Sequence, residues 1–126
     1  MKTATISGFS SPRYLLPITY NKAYVSDLYQ NAIYIVDLNS NTISGTIPCQ
    51  SGTEQMVMLY NKAFVTNYKT NYCYVINAST DVIMDSINVG IGASSCVIDK
   101  QAKLWVLSRG NSTSQSGSLI RINPIT

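Results

Sequence analysis

The 126-residue sequence contains no histidine. That removes the commonest general base near neutral pH and the commonest side-chain metal ligand. Charge is scarce as well, with nine basic and six acidic residues making up 12% of the chain. The acids are Asp27, Asp37, Glu54, Asp81, Asp85 and Asp99, and no pair of them recurs at a spacing suited to acid–base work. The reading is therefore non-enzymatic, with no cofactor and no metal site. Cysteine is limited to Cys49, Cys73 and Cys96, an odd set without regular spacing. It gives neither a disulfide framework nor a metal-type pair, and the three read as small buried hydrophobes. No run approaches the roughly 20 apolar residues of a membrane span. The N-terminus lacks the apolar core of a secretory signal.

What the chain does have is 45% hydrophobic residues, nine tyrosines and a repeat. Tyr20-Asn21-Lys22-Ala23-Tyr24-Val25-Ser26-Asp27 returns forty residues later as Tyr60-Asn61-Lys62-Ala63-Phe64-Val65-Thr66-Asn67. A worn third copy is Ala102-Lys103-Leu104-Trp105-Val106-Leu107-Ser108. Each is followed by a second apolar run, at Ile33–Asp37, Cys73–Asn77 and Leu119–Asn123. A period near 40 built from short β-rich runs predicts the four-stranded antiparallel blades of a β-propeller. The fold class is all-β, with about three blades' worth of strands.

The strands are expected at Tyr14–Ile18, Ala23–Asp27, Ala32–Leu38 and Thr42–Pro48, then at Gln55–Leu59, Lys62–Asn67, Tyr72–Asn77 and Val82–Asn88. The third copy gives Cys96–Asp99, Lys103–Leu107 and Leu119–Asn123, with a longer second loop carrying Gly110-Asn111-Ser112-Thr113-Ser114. Thr3-Ala4-Thr5-Ile6 matches the outer runs Ser44–Ile47 and Met84–Ile87. The organisation is thus an outer strand over 3–8, blades over 12–48 and 53–89, and an incomplete blade over 94–126. A blade buries its two flat faces only against neighbours. Three blades therefore require the remaining blades of a longer ring, or self-association, to be covered.

The net charge of +3 is spread, with Lys22, Lys62, Lys100 and Lys103 at or near equivalent turns. That is a solvated rim, and no nucleic-acid partner is expected. Asp37-Leu38-Asn39-Ser40-Asn41 begins like a calcium loop but has Thr42 where glycine is demanded. A hairpin turn accounts for it. Tyr24, Phe64 and Trp105 share one repeat position and read as packing between blades. Tyr29 and Tyr68 lie instead in loops between second and third strands, which emerge on the same face as the connections entering each first strand. Loops on a rigid scaffold are where binding residues gather. The candidate ligand-binding residues on that face are Arg13, Tyr14, Tyr29, Glu54, Gln55, Tyr68 and Arg109.

Tyr24-Val25-Ser26-Asp27 and Phe64-Val65-Thr66-Asn67, each followed by an apolar run such as Tyr34-Ile35-Val36-Asp37, resemble the YVTN repeat of YncE-like β-propellers. Ile6–Tyr14, Gly52–Val57 and the stretch from Asp99 to Trp105 are similar to the "surface layer protein" branch, which includes BtuG-like cobalamin-binding lipoproteins. The resemblance implies a seven-bladed ring, a lipidated N-terminus upstream and an extracytoplasmic location at the bacterial outer-membrane surface. It also implies capture of a corrinoid for a TonB-dependent transporter. A structural or protein-interaction propeller of the cell envelope is the alternative.

Overall fold

Alternating apolar and polar residues, punctuated by Asn, Asp and Gly, fold here as three antiparallel meanders. A computed structural model describes every residue except Ser112, Gln115 and Thr126. The first sheet runs β1 (Pro12–Thr19), β2 (Lys22–Asp27), β3 (Ala32–Asp37), β4 (Thr42–Pro48), in that spatial order. The second repeats it with β5 (Thr53–Leu59), β6 (Lys62–Asn67), β7 (Tyr72–Asn77) and β8 (Val82–Asn88). The third holds β9 (Ala93–Ile98), β10 (Leu104–Ser108) and β11 (Ser118–Ile122). No helix occurs among the described residues. The chain is a set of propeller-like blades, as the forty-residue period predicts. The long loop of the third blade includes Ser112 and Gln115, which lie outside the described residues, as does Thr126 at the end of that blade.

Strands β6, β7 and β8 have the expected bounds, whereas each first strand begins two or three residues early. The cause is a bulge. Register shifts separate Pro12 from Leu15 in β1 and Thr53 from Met56 in β5. In β9 the partners jump from Ser95 to Ala93, leaving Ser94 out of the ladder. A bulge breaks the period-two alternation by which a strand is recognised, so the pattern ends before the strand does.

The turns repeat their chemistry. Asp37 Oδ1 accepts the N–H groups of Asn39 and Ser40, and Asn77 Oδ1 those of Ser79 and Thr80. Asn41 and Asp81 then close the two turns, each with a φ of 58° that Asn and Asp tolerate. Tyr60 and Asn61 both have positive φ, the mark of a two-residue hairpin matched to strand twist. Tyr20 and Asn21 repeat those residues without the positive φ, and there the ladder shifts between Pro17, which has no N–H, and Thr19.

Two hydrophobic cores lie between adjacent blades. Tyr24, Ile33 and Ile47 of the first blade pack with Met56, Val65, Tyr74 and Ile76 of the second. From the other flat side of the second blade, Phe64, Cys73 and Val75 meet Cys96, Leu104 and Val106. Of the three residues at one repeat position, Tyr24 and Phe64 are buried between blades, whereas Trp105 is half-buried, lies in neither core and has the Arg121 guanidinium over its ring. Polar tethers join the blades at the turn end. Lys22 Nζ reaches the Ala78 carbonyl at 2.7 Å and Asp81 Oδ1 at 2.8 Å, and the Tyr24 hydroxyl donates to the same carboxylate. Lys62 Nζ repeats the reach to the Pro124 carbonyl at 3.0 Å.

Residues 1–9, where an outer strand is expected over 3–8, form no ladder with β1 to β11. The first blade already has its outer strand in β4, so the strand expected over 3–8 would belong to the sheet of another blade. The segment packs on the first blade instead. Phe9 meets Tyr34 edge-on with ring centroids 5.1 Å apart, and Gly8 lies beside Ile43.

Candidate ligand-binding face

The bulges that shift the first strands also place the candidate residues. β1, β5 and β9 run beside one another. The bulged positions are Arg13-Tyr14 in β1, Glu54-Gln55 in β5 and Ser94 in β9. A bulge re-aims side chains out of the pleat. Here all five bulged residues line a single cleft of about 430 Å³, together with Ser95, Leu28, Tyr68 and Arg109. A second cleft of about 500 Å³, walled by Ile91, Gly92, Gly110 and Asn111, shares Tyr68 and Arg109 with the first.

Six of the seven residues expected from the sequence therefore come together. Tyr29 is the exception. It is not part of the cleft wall, and its ring lies under the Lys69 ammonium at 5.1 Å. Tyr68 repeats that pairing one blade on, with the Arg109 guanidinium 5.3 Å from its ring centroid. Each loop tyrosine is thus covered by a cation from the following blade. Such contacts are favourable.

Several members of the cleft are held by the scaffold. Arg13 Nε donates to Glu54 Oε2 at 3.0 Å, joining the first strands of two blades. Glu54 is only 5% exposed, so this contact supplies the charge partner a buried carboxylate needs. That carboxylate, through its hydrogen bond and its charge, raises the Arg13 pKa above the ordinary arginine value. Gln55 Oε1 accepts the Cys96 N–H at 3.0 Å, so its amide oxygen is committed to the third blade. Tyr14 has its N–H fixed on Ser26 Oγ at 3.1 Å, while its side chain remains accessible.

The loops above the cleft are pinned by buried polar residues at the ends of β2, β6 and β10. Asp27 Oδ1 accepts the N–H groups of Tyr29 and Gln30, and Asn67 Oδ1 those of Lys69 and Thr70. Thr53 Oγ1 both donates to the Asp27 carbonyl and accepts the Asp27 N–H, each at 3.0 Å, locking the second blade to the first. The repeat aligns Asp27 with Asn67, and neither is among the residues expected on this face. A short polar residue recurring at the end of an apolar strand is the signal for such an anchor. Leu28 and Lys69 carry no repeat signature.

The three thiols are free, and burial raises the pKa of each: Cys49 to about 11, Cys96 to about 12 and Cys73 higher still. Asp99, in the turn of the third blade, is held below the usual carboxylate range by hydrogen bonds from the Trp105 indole N–H and the Lys103 N–H. Among the described residues, no three His, Cys, Asp or Glu side chains gather closely enough to hold a metal ion.

Solved structures of similar shape come from larger propeller-like proteins. Hydrazine synthase of Kuenenia stuttgartiensis superposes with a TM-score of 0.77 at 14% identity, over 97% of this chain and 35% of its own. An exported protein of Bacteroides fragilis gives 0.67 at 11% identity, over 94% and 37%. The extracellular domain of a one-component system from B. thetaiotaomicron gives 0.64 at 14% identity, over 90% and 18%. The chain thus spans about a third or less of the length of these neighbours. No curated protein matches the sequence. A family model described as a domain of unknown function, DUF5074, matches residues 2–126, and the chain belongs to that family.

Proposed function

We propose that this chain is a non-enzymatic, extracytoplasmic propeller segment that captures a ligand on its loop face, and that the ligand is a corrinoid such as cobalamin. One observation carries the reading. Residues from three blades, aimed by three bulges, converge on one cleft that mixes aromatic and polar groups. Clefts with a few fixed polar groups beside flat aromatic surface suit large amphipathic ligands. The resemblance of the repeat to cobalamin-capturing surface propellers names the ligand class, an outer-membrane location and a TonB-dependent transporter as recipient.

Calorimetry of the complete protein with cobalamin tests the proposal. Saturable heat and coloured protein after desalting support it; no heat and no retained colour reject the ligand. A structural or docking role in the envelope is the second reading. It would use the exposed apolar residues Val97, Leu107 and Leu119 on one face of the third blade, the flat side that a following blade would otherwise cover. That reading predicts an envelope protein that co-purifies irrespective of small ligands and is released by Leu119→Lys.

A further inference from the structure

Charge is distributed unequally between the two ends of the blades. At the turn end, cations face carboxylates: Lys22 meets Asp81 at 2.8 Å and Arg121 lies 3.9 Å from Asp99. At the loop end stand Arg13, Lys69 and Arg109, with two carboxylates among them. Neither carboxylate is open. Asp27 is buried and accepts four backbone N–H groups, from Ser10, Ser11, Tyr29 and Gln30. Glu54 is buried against Arg13.

Arg109 therefore has no carboxylate partner among the described residues. Its guanidinium rests on the Tyr68 ring instead, which stabilises the cation without neutralising it, and its in-plane N–H donors have no acceptor among the described residues. It stands in the wall common to both clefts, and the half-buried Ser94 and Ser95 line the same cleft. A planar fork of donors on an aromatic platform, beside hydroxyls and with the local carboxylate neutralised, is complementary to an oxyanion.

We infer that the cleft binds the anionic group of a small organic ligand, a carboxylate or a phosphate, on the Arg109 guanidinium with Ser94 and Ser95 beside it. The inference rests on the loop face being a ligand site, as proposed above, but not on the ligand being a corrinoid. Arg13 is a positioning residue here. It keeps the Glu54 carboxylate paired and so prevents it from repelling the incoming charge.

The test is a titration of the ¹⁵N-labelled complete protein, followed by amide shifts, at constant ionic strength. The probes are inorganic phosphate, succinate and uncharged succinamide. The amides of Ser94, Ser95, Arg109 and Gly110 should shift saturably with at least one of the two anions and not with succinamide. Phosphate alone or succinate alone identifies which oxyanion fits. Arg109→Gln should weaken the anion by about tenfold or more, as loss of a charge-assisted bidentate contact does. Arg109→Lys should restore part of that loss, and Lys100→Gln, at the opposite end of the blade, should leave affinity unchanged. Preserved amide dispersion shows that each variant is folded. Absence of shifts with both anions, equal shifts with succinamide, or equal weakening by Lys100→Gln would overturn the inference. Anion binding without cobalamin binding would remove the corrinoid and leave the anion site standing. Cobalamin binding untouched by Arg109→Gln, with no anion shifts, would do the reverse.

Discussion

Asp27 and Asn67 occupy equivalent positions forty residues apart and grip the chain entering the blade with opposite hydrogen-bond polarity. Asp27 Oδ2 accepts the N–H groups of Ser10 and Ser11, whereas Asn67 Nδ2 donates to the carbonyls of Gln50 and Ser51. The difference lies in the incoming chain. Gly52, at the position of Ser11, has a φ of +104°, which turns carbonyls rather than N–H groups toward the anchor. The third blade follows the second: Gly92 has a φ of +84°, and Ser108 Oγ donates to the Val89 carbonyl at 2.6 Å. An acceptor side chain goes with serine in the incoming loop, and a donor goes with glycine.

Asn67→Asp should consequently be damaging although nearly isosteric. It points a buried carboxylate at two carbonyls, at a cost of about 3 kcal/mol near neutral pH. Such a carboxyl has a folded-state pKa above its unfolded value, so the deficit relative to the parent is smallest at low pH and grows as pH rises. Denaturant unfolding of parent and variant at pH 4 and pH 7 measures this. An equal deficit at both would refute the polarity argument.

Val65 and Ile76 are fully buried in the core between the first two blades. Ile76→Ala should cost about 3 kcal/mol and Val65→Ala about 2 kcal/mol, by lost burial and the cavity left behind. Losses below about 0.5 kcal/mol at both, measured by urea unfolding, would mean that these faces are not packed as described.

Tyr24 shares Asp81 with Lys22, and burial together with that carboxylate pushes its pKa above the normal tyrosine range. The resulting stability is complete below the unfolded tyrosine pKa, about 10, and is lost as pH climbs above it. Tyr24→Phe should cost about 1 to 2 kcal/mol at pH 7. It should also flatten the decline of stability on the alkaline side. Phe64 shows that the packing position accepts a ring without a hydroxyl. A variant with an unchanged alkaline slope would separate Tyr24 from that titration.

With all three thiols raised by burial, native protein at pH 8 should react slowly with a thiol-specific disulfide reagent. Half-buried Cys49 should lead, and all three should react promptly in denaturant. Rapid stoichiometric modification of native Cys73 or Cys96 would contradict the core assignment.

The repeat made the architecture readable because packing between blades imposes the same residue at the same phase. Tyr24 with Phe64, Ile33 with Cys73 and Lys22 with Lys62 are all of this kind. The bulges were not readable, since Arg13-Tyr14 and Glu54-Gln55 interrupt alternation without any residue that marks the interruption. Most of the cleft was still found, because loop position alone brings a residue to that face. Tyr29 shares the loop position but lies under Lys69 rather than in the cleft wall, and Lys69 is outside the repeated motif. The segment 3–8 resembles an outer strand in sequence, while the first two blades already have theirs in β4 and β8.

Lys22 and Lys62 both reach forward, each toward carbonyl oxygen in the blade that follows it in the chain. Both contacts bridge long stretches of chain, 56 and 62 residues. Neither can form within one sheet alone, so the environment of a single ammonium reports whether two neighbouring sheets have docked.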